Sequence, residues 1–251
     1  MLPYKDDNPQ ILVPIGTYTL IGLNIFTWFL IQSLGYGLEF TESVCKYGLF
    51  ATQFTGTEGN ACEYKNIGQL GIFTSMFLHG SWFHLLGNLL FLWVFGGNVE
   101  DAMGTVRFII FYLLSGILAA FFQIYSDPSS LIPMIGASGA IGGIMGAYLI
   151  LYPKVRVHLF VFFIIPFPIK VPAFAMLGYW FGLQLISGLI DTSSTGGVAF
   201  WAHVGGFVSG IIFGYLFKDD ELLCGHEYYG WSKKINPIDI WNKAENKYKN
   251  D

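Results

Sequence analysis

Between Arg107 and Lys154 the chain carries a single charged residue, Asp127, and between Lys170 and Lys218 again only one, Asp191. Each run is longer than the ~20 predominantly apolar residues that a helix needs to cross a bilayer. A water-soluble domain needs charge over its whole outward surface, and such domains carry roughly 25% charged residues. Here the figure is 12%, against 53% hydrophobic residues, with a mean hydropathy of +0.53. The lipid bilayer is therefore the expected solvent for most of the chain. The 31 glycines fit this, because small residues let membrane helices approach closely.

Six stretches are expected as transmembrane helices of an all-α membrane protein. They run from Leu12 to Leu34, Phe77 to Gly97, Phe108 to Tyr125, Ala137 to Tyr152, Val171 to Ile190 and Phe200 to Phe217. Residues 1–11 precede them, 35–67 form the largest connection, and 218–251 follow as a polar tail containing Trp231 and Trp241, expected at the surface or partly disordered. The first apolar run begins after Lys5-Asp6-Asp7 and lacks a small-residue cleavage site, so it is expected to be retained as a span. The fourth stretch is short and rich in glycine. That predicts a chain entering the bilayer as a loop and turning helical partway down, which is tolerated only where the backbone is buried or lines a wet cavity.

Lysine and arginine set the expected orientation. With the N-terminus inside, the inner segments hold Lys5, Arg107, Lys154, Arg156, Lys170, Lys218, Lys233, Lys234, Lys243, Lys247 and Lys249, and the outer ones only Lys46 and Lys65. Eleven against two is a strong positive-inside bias. Both termini are expected in the cytoplasm, in a multi-pass protein of the plasma (inner) membrane. Pro166 and Pro168 suit a non-helical inner loop. Cys45 and Cys62 share the outer loop with Glu39, Glu42, Glu58 and Glu63. Two cysteines on an oxidising face can pair, and a disulfide and two free thiols both stay open. Cys224 is expected inside and free. His158 and His226 fall in inner polar segments and are expected to be solvated.

Polar groups within a bilayer are costly, so each is a functional candidate. Three clusters occur. Gly136-Ala137-Ser138-Gly139 opens the fourth stretch, and small residues recur there at Ser138, Gly142 and Gly146 and at Gly139, Gly143 and Ala147. That face can take another helix at close range. Glycines beside the serine also leave backbone amides accessible to an oxyanion. Ala202-His203-Val204-Gly205-Gly206 opens the sixth, where Ala202, Gly206, Gly210 and Gly214 make a continuous small stripe beside His203. Packing stripe on stripe brings Ser138 and His203 to similar depth, the arrangement of an activated nucleophile. The third cluster holds His79, then His84 and Asn88, which are four apart and share a helix face. An imidazole and an amide aimed at one point suit a developing oxyanion. His79 falls off that face and is expected to be structural. Gln123 is expected to bond a neighbouring helix.

The run His79-x4-His84-x3-Asn88, then Gly136-x-Ser138-Gly139, then Ala202-His203-x2-Gly206, in that order on the second, fourth and sixth stretches, resembles the rhomboid family. Further matches are Gly96-Gly97-Asn98-Val99-Glu100-Asp101 and the pair Trp180 and Gln184, and the likeness covers residues 12–217. The resemblance implies a six-transmembrane-helix rhomboid bundle and an intramembrane serine endopeptidase. Its nucleophile would be Ser138 and its general base and acid His203, a dyad with no third acid. The oxyanion would be held by the Ser138 N–H, His84 and Asn88, with His79, Gly136, Gly139 and Gly206 structural around the site. Its substrates would be transmembrane helices cut near the outer face. No metal, cofactor or nucleic acid is implied. Two departures stand out. Some rhomboids carry an aromatic one turn after the serine, packed on the histidine, and here that position is Gly142. Some carry a Trp-Arg pair in the first outer loop, and Gly68-Gln69-Leu70-Gly71 lacks it.

Three other readings compete with this one. A non-catalytic relative that binds membrane helices would keep the fold but lose the serine or the histidine, and both are present. A transporter would show paired repeats and intramembrane acids, and neither is seen. A three-histidine zinc site from His79, His84 and His203 is conceivable but leaves Asn88 without a part. Trp180 and Gln184 suit either a wall that substrate passes laterally or plain packing.

Overall fold

In lipid every peptide group must be satisfied internally, and a helix does this within one segment. The computed structural model describes residues 2–56, 62–161, 167–191, 197–224, 226 and 228–230, and it is mostly helical. In chain order its elements are β1 (Leu2–Asp6), α1 (Ile15–Phe26), α2 (Gly37–Tyr47), α3 (Thr52–Thr55), α4 (Gly71–Thr74), α5 (Trp82–Phe91), α6 (Gly97–Met103) and α7 (Thr105–Ser126). They continue with α8 (Ser138–Leu151), β2 (Arg156–Val161), β3 (Phe167–Pro172), α9 (Ala173–Ile190), α10 (Phe200–Phe217) and α11 (Asp220–Leu223).

Among the described residues four helices are long and apolar enough to cross a membrane: the rod from Trp82 to Met103 formed by α5 and α6 through a wider turn, then α7, α9 and α10. The stretches Ile15–Ile31 and Ser138–Leu151 are shorter apolar helices. Large apolar side chains point outward along these elements, Phe83 at 91% and Tyr125 at 90% exposure among them. Such a belt is at home only in lipid. The chain is a multi-pass integral membrane protein.

The second span begins later than its hydropathy suggests. Residues 78–81 are not helical, and α5 starts at Trp82, capped by the Ser81 side chain, which accepts from the His84 N–H. The rod then runs on through Gly96–Asp101, so Glu100 and Asp101 lie within it. Both are buried, and both serve α1. Glu100 accepts from the amides of Gly16 and Thr17, at 2.8 Å each, and from the hydroxyls of Thr17 and Thr105. Asp101 accepts from the amides of Ile11 and Leu12. Glu100 thus satisfies free N–H groups in the first turn of α1, the end a helix dipole makes electropositive, and Asp101 ties down the segment that leads into it.

The short α8 is the innermost helix, with every residue but Ser138, Leu149 and Ile150 buried. Glycine makes this possible. A methyl group on Gly206 would sit 1.9 Å from the Gly139 carbonyl oxygen, one on Gly210 1.9 Å from that of Gly143, and one on Gly146 2.1 Å from that of Phe207. The main chains of α8 and α10 are in direct contact along the two expected stripes.

Two expectations are corrected at the end of the bundle that carries the N-terminus. The fold is not purely helical, because β1, β2 and β3 form an antiparallel sheet in that order. Pro168 sits in β3 opposite Phe160, and Pro166 lies outside the described residues. His158 and His226 are not solvated. His158 is buried in β2 with Nε2 2.6 Å from Asp7, and His226 is buried with Nε2 3.7 Å from Asp101. The start of the tail is docked too, since the Gly230 amide donates to Leu151 O. Trp231 and Trp241 lie outside the described residues.

At the other end, Cys45 of α2 is disulfide-bonded to Cys62. The loop they staple pairs with the approach to α8, Leu49 and Met134 exchanging two backbone hydrogen bonds.

Candidate active site

Four helices, α5, α8, α9 and α10, bring the polar groups together. Ser138 is the first residue of α8, where first-turn amides have no intrahelical acceptor. The chain reaches it through Gly136, whose φ of +132° favours glycine. The Gly136 amide is held by Ser75 O at 2.8 Å. A side chain at 136 would also strike His84, whose Nε2 would lie 2.7 Å from its first carbon.

His203, in the first turn of α10, points Nε2 at Ser138 Oγ, 2.8 Å away. Its other ring nitrogen, Nδ1, is 2.8 Å from Gln184 Oε1 on α9. The Trp180 ring, one turn earlier on α9, lies 5.7 Å from the imidazole, centroid to centroid. At position 142 a methyl group would be 3.1 Å from His203 O and 3.4 Å from Phe207 N, so α10 passes close by. The ring beside the imidazole comes from α9.

His84 accepts from the Gly80 amide at Nδ1 (3.3 Å), so its proton sits on Nε2, the nitrogen facing Gly136. Asn88, one turn on, is buried, and its side-chain Nδ2 has no partner among the described residues. A buried donor left unpaired costs free energy unless something else fills it. His84, Asn88, Ser138, Trp180 and His203 all line one cavity of about 750 Å³. Phe91, Ile141 and Met145 also line it, and Asp127 and Asp191 stand among its residues. A hydroxyl bonded to an imidazole, with donors converging beside it, can perform nucleophilic acyl transfer.

A family model described as Rhomboid domain matches residues 68–219, which hold every one of these side chains. This chain belongs to the rhomboid family. Similar relatives include Rhomboid protein 1, mitochondrial, of Saccharomyces cerevisiae, 29% identical over 59% of this chain and 41% of its own length. Rhomboid protease GluP of Bacillus subtilis is 34% identical over 54% of this chain and 24% of its own, and Rhomboid protease GlpG of Haemophilus influenzae 28% over 55% and 65%. The matched stretch therefore spans less than two thirds of each of these relatives.

Within this rhomboid domain Ser138, His203, His84 and Asn88 meet at one cavity, and His79 does not line it. His79 is fully buried behind His84, rings 5.1 Å apart and edge to face. Its backbone is clamped by the Gln32 side chain, which donates to His79 O and accepts from His79 N, both at 2.8 Å. Gly139 and Gly206 lie at the α8–α10 contact. Gln123 bonds a neighbouring helix, its Oε1 accepting from the Ala202 amide. The residue whose part was missed is Gln184. Its signal was present, as an amide in an otherwise apolar span one turn from a tryptophan. Which helix that face meets is a matter of tertiary packing. Among the described residues no three His, Cys, Asp or Glu side chains are grouped to hold a metal. His203 is engaged by Ser138 and Gln184.

Proposed function

We propose that this rhomboid is an intramembrane serine endopeptidase that cuts transmembrane helices near the outer membrane face. The observation that carries the reading is the 2.8 Å contact of His203 Nε2 with Ser138 Oγ inside a cavity lined by two further side chains suited to donate. Two of the relatives, GluP and GlpG, are named rhomboid proteases, and that supports the same chemistry.

In this reading Ser138 Oγ bonds to the scissile carbonyl carbon as His203 Nε2 takes its proton. The carbonyl oxygen becomes an oxyanion, held by the Ser138 N–H, by His84 Nε2–H and by the Asn88 amide. His203 then protonates the departing amine, leaving an ester on Ser138. Water attacks that ester with His203 again as base, and Ser138 is restored. A charged acid is not required, which suits an apolar site where a carboxylate is costly. The bundle has six membrane spans, α1 and α8 being the short ones. The eleven-to-two lysine and arginine bias supports cytoplasmic termini and a site toward the outer face.

The test is labelling by a serine-reactive fluorophosphonate together with cleavage of a labile membrane helix. Wild type is expected to label at Ser138 and to cleave, and Ser138→Ala and His203→Ala to do neither. Cleavage that survives Ser138→Ala overturns the mechanism. Folded wild type that neither labels nor cleaves, yet binds membrane helices, would instead be a non-catalytic relative.

A further inference from the structure

The imidazole of His203 touches two groups with its two nitrogens, Ser138 Oγ at Nε2 and Gln184 Oε1 at Nδ1. For Nε2 to receive the Ser138 proton it must be unprotonated. A neutral imidazole carries one N–H, so the proton then sits on Nδ1 and needs an acceptor. Gln184 Oε1, 2.8 Å away, is that acceptor. The amide nitrogen at that place would set donor against donor, so the orientation with oxygen toward the ring is the one the tautomer demands.

Gln184 and Trp180 are four residues apart and present one face of α9. Trp180 covers the imidazole ring and Gln184 fixes its edge. Gly142, with no side chain, can do neither. In a serine–histidine–aspartate triad a carboxylate holds the base in its working tautomer and also stabilises the imidazolium. A neutral amide does the first without placing a charge in lipid.

We infer that Gln184 is a positioning residue for the reaction, a neutral third member that holds His203 in its Nδ1-protonated tautomer and aims Nε2 at Ser138. The inference rests on the proposed protease function. A charged acid behind the histidine is replaced here by an amide on a different helix.

Two variants separate this from packing. Gln184→Leu keeps approximate volume and removes the acceptor. It is expected to lower kcat about 10- to 100-fold with little change in KM, since the tautomer matters to proton transfer and not to substrate binding. Gln184→Glu restores an acceptor and adds charge. It is expected to recover much of the rate and to move the acidic limb of the kcat/KM profile to higher pH, because the carboxylate favours the imidazolium. Wild-type kcat in Gln184→Leu, or equal damage in both variants with an unmoved acidic limb, overturns the inference. A readout independent of turnover is 15N NMR of the His203 ring in detergent, on histidine-labelled protein with His203→Ala as the assignment control. Nδ1–H is expected to dominate in Ser138→Ala and to give way to a tautomer mixture when Gln184→Leu is added. An unchanged tautomer overturns the inference even if the protein proves not to be a protease. Inactive wild type with the expected tautomer change overturns the protease reading alone.

Discussion

The Gly80 amide donates to Nδ1 of His84 at 3.3 Å, and that bond decides which nitrogen of His84 carries a proton. Nε2 is left as a donor facing the turn at Gly136, beside Ser138. Asn88 adds, one helical turn away, an amide nitrogen with no partner among the described residues. His84→Ala and Asn88→Ala are each expected to lower the cleavage rate by about 10²–10³, the usual cost of one oxyanion donor. Fluorophosphonate labelling and kcat report this directly, and a kcat within twofold of wild type in both variants would remove them from the site.

Helix spacing is expected to be intolerant at Gly206 and indifferent at Gly178. A methyl group on Gly206 meets the Gly139 carbonyl, whereas one on Gly178 meets nothing within 4 Å. Gly206→Ala forces α8 and α10 apart at a cost of about 1–3 kcal/mol, the range for overpacked sites. It should lower the thermal midpoint and abolish labelling although Ser138 and His203 are both intact. Gly178→Ala should match wild type in both assays.

Acid and base should act differently on the N-terminal strand. Burial raises the Asp6 carboxyl to about 6, with Tyr148 and Asn98 hydrogen-bonded to it and Asp7 adjacent. A carboxyl that binds its proton more tightly in the folded state favours folding at low pH, and that contribution is lost as pH rises through about 6. The hydrogen bond from His158 instead holds Asp7 below the usual carboxylate range, so its contribution is lost on acidification. Asp6→Asn should flatten the fall in stability between pH 4 and 7, and Asp7→Asn should flatten the opposite fall below pH 4. Thermal unfolding in detergent across that range separates the two.

Cysteine accessibility should follow the disulfide. Under non-reducing conditions only Cys224 should alkylate, and after reduction all three cysteines should. Closing a loop of this length contributes about 3 kcal/mol in the chain-entropy picture, so reduction should also lower the thermal midpoint. Mass spectrometry of the alkylated protein checks the first point and a melting curve the second.

The meeting of Ser138 and His203 was legible because small residues recur every fourth position on both helices, and only glycine and alanine let two main chains touch. His84 and Asn88 were legible for a similar reason, sharing one face of α5. Gln184 was visible as an oddity but not as a partner, since sequence does not say which way α9 turns. The sheet was hidden by its setting. Val157 and Leu159 alternate with Arg156, His158 and Phe160, a period of two, but charges and prolines around them looked like a solvated loop. His158 and His226 were misjudged for the same reason. Their neighbours are polar, and the chain folds back to bury them. Glu100 and Asp101 stood out as a motif, yet their partners, the first turn of α1 for Glu100 and the segment leading into it for Asp101, lie more than eighty residues away in sequence.

The contact of Gly206 with Gly139 has a further consequence. The separation of the helix that carries the hydroxyl from the helix that carries the imidazole is gauged by two main chains pressed together, while Gln184 and Trp180 contact the ring itself. Phe91, Ile141 and Met145 shape the wall of the cavity and take no part in that gauge. Residues that mould the space for a guest can therefore change in size without detuning the pair that reacts with it. The chassis and the mould are separate parts of the same small bundle.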